Sequence, residues 1–121
     1  MTLPQIEKLL SAEFVSEHGK QNIDIKFAKA SDLMSDVLAF IKSNTLLFTG
    51  LTTPQVVYTA ENAGVNVVCF VRGKKPLDET VALAKEKGIV LIATKIGMFE
   101  SCGKLYQKGL IGCFESANID H

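Results

Sequence analysis

Residues 46–64 read LLFTGLTTPQVVYTAENAG, and that stretch decides the class of fold. LLFT is a short continuous apolar run, the pattern of a strand covered on both faces. PQVVYTAENA follows as a helix. It opens on proline, which is favoured at the first helical position. It closes on Gly64, the residue type that best tolerates the left-handed C-terminal position. The unit then recurs. NVVCFV (66–71) reads as a strand before a helix over 77–87 that Gly88 closes. IVLIAT (89–94) reads as a strand before a helix over 97–108 that Gly109 closes. Three strand–helix units in a row predict an α/β fold, a layered domain whose mainly parallel sheet is flanked by helices through right-handed crossovers.

The first third is less regular. Thr2 is placed to cap a helix, with Gln5 at the capping-box position and Ile6, Leu9 and Leu10 as its apolar face. EFVSE (13–17) reads as a short strand and HGKQN (18–22) as a turn. IDIKFA (23–28) alternates as a half-buried strand does. Ser31 is a candidate N-cap for a helix over 32–42, with Leu33, Met34, Val37, Leu38 and Ile41 at helical spacing. These strands are expected at one side of the regular sheet. Residues 117–121 read as a loose tail, and the whole of 1–121 as a single domain.

At 121 residues, with 47% apolar and 21% charged side chains and zero formal net charge, the composition is that of an ordinary soluble domain. A neutral balance gives no support for a nucleic-acid or membrane-surface role. No apolar stretch approaches the roughly 20 residues of a membrane span, and no signal peptide is expected. Three cysteines, none in CxxC spacing, and two histidines argue against a zinc cluster. They fit free thiols in a reducing cytoplasm. No metal and no cofactor are expected.

Chemistry is expected at the carboxyl ends of the strands. Three loops meet that description: TGLTTPQ, VRGKKP and ATKIG. They bring Thr49, Gly50, Thr52, Thr53, Arg72, Gly73, Lys74, Lys75, Thr94 and Lys95 to one edge, with cations, hydroxyls and helix N-termini suited to a phosphate or carboxylate. The plain alternative makes TGLTTPQ a turn capped by Thr53, and RGKKP a solvated turn. Neither a P-loop nor a GxGxxG fingerprint occurs. Asp32 and Asp36 lie four apart; as catalytic groups they would supply acid–base or metal chemistry, and as structural groups they complement a helix dipole. Cys69 and Cys102 read as small buried hydrophobes. His18 has no identifiable partner, and Tyr58 and Tyr106 are expected to pack their rings and wet their hydroxyls.

SDLMSDVLAF (31–40), LLFTGLTTPQVVYTAENAGVNVVCFVRGKKP (46–76), ALAKEKGI (82–89) and IATKIGMFESCGKLYQKGL (92–110) together resemble DRTGG-domain proteins, of the small stand-alone kind. The resemblance covers about residues 30–110. It implies a fold like the N-terminal domain of HPr kinase/phosphorylase, without the P-loop domain that carries kinase activity there. It implies a regulatory role, dimer contacts and no catalytic set. The sequence departs from the motif that names the family: Thr52 and Thr53 stand where a DR-type pair would follow the first strand, and VRGKK keeps only Gly73 of a TGG-type turn.

The reading that results is a non-enzymatic regulatory or ligand-sensing module. Its expected ligand is a nucleotide or other phosphorylated anion, and its expected partners are a second copy and a partner enzyme. Two alternatives stand beside it. One is an interaction or dimerisation module without a small ligand. The other is a small enzyme acting on a phosphorylated or carboxylated substrate, which requires a carboxylate at the Arg72 end of the sheet.

Overall fold

The computed structural model describes residues 1–16, 22–39 and 42–113. Its elements in chain order are α1 (Leu3–Leu10), β1 (Glu13–Ser16), β2 (Phe27–Ala30), α2 (Met34–Ala39), β3 (Thr45–Thr49), α3 (Pro54–Ala63), β4 (Val67–Phe70), α4 (Asp78–Lys87), β5 (Val90–Ala93), α5 (Met98–Gln107) and β6 (Ile111–Gly112). Six strands form one sheet in the order β1-β5-β4-β3-β2-β6. Every pairing is parallel except that of β1 with β5.

Each repeated helix stops as the sequence predicts. Gly64 and Gly88 are left-handed, with φ of 78° and 70°, and send their amides back to the last turn. Gly109, two residues past the end of α5, has φ of 102°. The helix α1 is held by a capping box: the Thr2 hydroxyl accepts the Gln5 amide at 3.4 Å, and the Gln5 side chain accepts the Thr2 amide at 2.8 Å.

All residues of β3 and β4 are buried, because helices cover both faces of the sheet. On one face, α2, α3 and α4 bury Met34, Val37, Val56, Val57, Ala60 and Ala84 against Leu47, Val68, Phe70 and Leu91. On the other, α1 and α5 bury Leu3, Ile6, Leu10 and Leu105 against Leu46, Phe48, Cys69 and Ile92. The chain steps from β2 to β5 in one direction with all its crossover helices on the first face. It then returns through α5 to β6 at the far edge. A crossover that reverses direction keeps its hand only on the opposite face, and that is where α5 lies.

Several details differ from expectation. The added strands flank the parallel core on both sides: β1 adjoins β5, and β2 with β6 adjoins β3. The strand expected over 23–28 begins at Phe27. Its predecessors pair with the N-terminus instead, Asp24 bridging Thr2 and the Ile25 amide donating to Met1 at 2.8 Å. Ser31 does not cap α2; its hydroxyl closes a local turn with the amide of Leu33 at 3.0 Å. Leu33 and Leu38 are exposed, and only Met34 and Val37 of the expected face are buried. The strand β6 has no counterpart in the sequence reading. Glu17, the 18–21 turn, Ile41 and the 117–121 tail lie outside the described residues.

Candidate functional site

Strand register builds the site. Thr49 of β3 stands beside Phe70 of β4, and Phe70 beside Ala93 of β5. The loops that follow these three strands therefore leave the sheet in one row. The connections after β4 and β5 go to helices on opposite faces, so the crevice between these two strands is the topological switch point, where open parallel sheets place ligands.

The loop after β4 turns abruptly there. Arg72 (φ 61°) and Gly73 (φ 71°) are both left-handed, and the Lys74 amide closes on Val71 O at 3.1 Å, the signs of a type I′ turn. For arginine this backbone costs roughly 1–2 kcal/mol. The turn is locked to the β5 loop: the Arg72 amide donates to Ile96 O at 2.9 Å and the Gly73 amide to Thr94 O at 3.0 Å. Strain of this kind persists where the surroundings over-determine it, and it concentrates at functional sites.

The Arg72 side chain crosses between two glycines. A Cβ on Gly97 would lie 3.9 Å from Arg72 Cγ, and a Cβ on Gly50 would lie 3.0 Å from Arg72 Nη2. Gly97 is the N-cap of α5, and Gly50 lies in the turn leading to α3. Neither helix has a side-chain cap: the Thr53 hydroxyl, expected to serve α3, makes no cap bond, and Gly97 has no side chain to offer. Among the described residues the Arg72 guanidinium has no hydrogen-bond or ion-pair partner. An exposed, forked cation thus stands between the Gly50 turn that leads to α3 and the N-cap of α5, a helix whose first amides lack intrahelical acceptors.

Asp32, just past the end of β2, completes this edge. Its Oδ1 accepts the Thr49 hydroxyl at 2.9 Å and the Gly50 amide at 2.7 Å. The Thr49 hydroxyl in turn accepts the Leu51 amide at 3.2 Å. Thr49 is therefore buried structure that shapes the turn. Asp36 faces elsewhere, 3.4 Å from Lys29 Nζ. Thr52 contributes through its backbone: its carbonyl accepts the Thr80 hydroxyl at 2.7 Å and the Leu77 amide at 3.2 Å, tying the α3 loop to the start of α4.

The remaining candidates lie apart from Arg72. Lys74, Lys75 and Lys95 line a second cleft of about 440 Å³ with Gly73, Thr94 and Glu13, on the β1 side of the switch point. The buried Thr94 hydroxyl is committed to structure, donating to Leu10 O at 2.7 Å and accepting the Ile96 amide at 3.1 Å. The edge drawn from the sequence thus resolves into an arginine site and a lysine cleft.

Asp32 and Gly97 are the site residues that the sequence reading did not place there. Asp32 becomes legible once β2 is ended at Ala30, which makes it a carboxyl-edge residue. Gly97 is legible as the last residue of ATKIG, at the start of a helix. Among the described residues no three His, Cys, Asp or Glu side chains gather to hold a metal ion. Cys69 and Cys102 are poor nucleophiles: burial, and then neighbouring Cys102, push the Cys69 thiol up to about 12, and burial raises Cys102 as well. Among the described residues no helix is long and apolar enough to cross a membrane.

With this geometry in hand, the chain can be set beside known proteins. No family model matches it, and no curated protein matches it. Among solved structures it is similar to the CBS and DRTGG domains of the regulatory region of Clostridium perfringens pyrophosphatase, complexed with the activator diadenosine tetraphosphate, with a TM-score of 0.75 and 20% identity. The likeness is one of fold. It takes in 88% of this chain and 46% of that one, so the present chain spans about half the length of the neighbour. The expected α/β architecture is the observed one, and the neighbour that shares it is a regulatory region, not a catalytic domain.

Proposed function

We propose that this chain is a DRTGG-like regulatory module that senses a phosphorylated anion and performs no chemistry of its own. The observation that carries the reading is the unpartnered Arg72 guanidinium, held by a strained turn across Gly50, in the turn that leads to α3, and Gly97, the N-cap of α5. A phosphate there would take a forked pair of hydrogen bonds from Arg72 and further bonds from the amides of the first turn of α5. Asp32 fixes the Thr49–Gly50 turn so that the β3 side of this cradle is formed before the ligand arrives. Lys74, on the same loop as Arg72, and Lys95, one loop further on, would extend the positive field toward the rest of a polyphosphate.

A nucleotide is favoured among phosphorylated anions because the regulatory region of similar fold is complexed with diadenosine tetraphosphate. The module would work as a homodimer in the cytoplasm, where its thiols stay reduced, and would report ligand state to a partner enzyme. Isothermal titration with ATP, ADP, diadenosine tetraphosphate and inorganic phosphate tests this. Micromolar binding weakened at least tenfold by Arg72→Ala is expected. Silence across the panel would overturn it.

A second reading, a small enzyme on a phosphorylated or carboxylated substrate, is favoured by the position of Asp32 at the same edge as Arg72. Against it, Asp32 Oδ1 is already committed to two donors. Turnover of a phosphorylated substrate that Asp32→Asn abolishes, while ligand binding persists, would establish this reading over the first.

A further inference from the structure

The helix α5 carries an apolar flank that nothing in the described residues covers. Phe99 is 89% exposed, Tyr106 71% and Ile111 of the neighbouring β6 54%. They border a groove of about 350 Å³ whose floor includes Ala28, Ala30 and Gly112. The groove exists because only α1 and α5 cover this face of the sheet, which leaves β2 and β6 beside α5 without a helix above them.

Gly103 lies in the middle of this flank. Glycine inside a helix costs roughly 1 kcal/mol relative to alanine, yet a Cβ added here would meet nothing within 4 Å. No packing inside the subunit calls for its absence. Its smallness leaves the middle of the flank open.

We infer that this flank is the face on which two copies of the chain pair. The inference rests on the homodimer in the proposed function and names its surface. A twofold interface must be complementary to itself. This patch holds both the protrusions, Phe99 and Tyr106, and the recess, floored by two alanines and two glycines, that could receive them from a second copy. Aromatic side chains bury about 150–250 Å² each. Covering Phe99, Tyr106, Ile111 and the groove walls would remove roughly 500 Å² from each copy, or about 1,000 Å² in all, the size at which specific pairing begins. Phe99 is also two residues from Gly97, where Arg72 rests, so the pairing face and the anion site share the first turn of α5.

Sedimentation equilibrium of the full chain at tens of micromolar is expected to show a dimer. Phe99→Glu and Gly103→Glu are each expected to weaken association at least 30-fold with an unchanged far-ultraviolet circular dichroism spectrum, since both positions are exposed and position 103 has open space. A wild-type monomer overturns the inference together with the homodimer. A wild-type dimer that both variants retain overturns the inference alone. An Arg72→Ala variant that no longer binds nucleotides yet remains dimeric supports the pairing face independently of the anion site.

Discussion

The carboxylate of Asp32 accepts the backbone amide of Gly50 at 2.7 Å, across a gap of 18 residues. The same oxygen takes the Thr49 hydroxyl, so one side chain after β2 shapes the turn after β3. Asp32→Ala removes both bonds and leaves donors to find water. A loss of about 1–2 kcal/mol in denaturant unfolding is expected, with a larger relative loss of anion binding. Asp32→Asn keeps an acceptor and should recover most of the stability.

Arg72 is left-handed, and a Cβ there is a liability whatever the side chain. Arg72→Ala keeps that strain, while Arg72→Gly relieves it. The glycine variant is expected to exceed the alanine variant in stability by roughly 1 kcal/mol, although both lose nucleotide binding in calorimetry. Equal stabilities would show that the turn is unstrained.

At Gly50 a methyl group would sit 3.0 Å from Arg72 Nη2, the flexible end of a long side chain. Gly50→Ala is therefore expected to leave the unfolding midpoint close to wild type while displacing the guanidinium. Calorimetry should show weaker binding, by several-fold, in a protein of unchanged stability.

Thr94 joins the β5 loop to the end of α1 through a buried hydroxyl. Thr94→Val preserves shape but strands Leu10 O and the Ile96 amide. A loss of about 1–3 kcal/mol is expected. Because its hydroxyl is turned to α1, nucleotide affinity should fall far less than in Arg72→Ala.

Cys69 gives a pH dependence whose sign follows from its environment. Its thiol is pushed up to about 12 in the folded chain, first by burial and then by Cys102, from an ordinary value of 9.0. The folded state thus holds the proton more tightly than the unfolded state, so this contribution is fully present below about pH 9 and is lost as pH rises toward 12. Unfolding measured across that window should be less pH-dependent in Cys69→Ala than in wild type. Thiol reagents at pH 8 should modify Cys102 ahead of Cys69.

The parallel core is legible in the sequence because three apolar runs each lead into a helix closed by glycine, and local signals agreed with the tertiary outcome. The start of β2 is not legible. Ile23, Ile25 and Phe27 alternate as one strand would, but Ile25 is drawn under α1 by its bond to Met1, a contact with no periodic trace. Two residues of β6 are too few to carry a period at all. At the site, the convergence of three loops follows from parallel topology alone. The separation of Arg72 from the lysines does not, because it is produced by two consecutive left-handed residues, only one of which is a glycine. Ser31 misled for a related reason: serine both caps helices and closes short turns, and the second use prevailed.

The return of the chain through α5 to the far edge has a consequence for how the molecule is made. On a ribosome the run from β2 to β5 can assemble from neighbours in sequence, each strand meeting the one before it. The outer edge of β2, by contrast, stays bare until residues 111–112 emerge to pair with Phe27 and Ala28, and β1 waits for β5 before it has any partner. Both margins of the sheet are therefore finished late, by contacts that span most of the chain, and such closures are slow. Until then a nascent chain displays open strand edges that could pair with another copy in the wrong way.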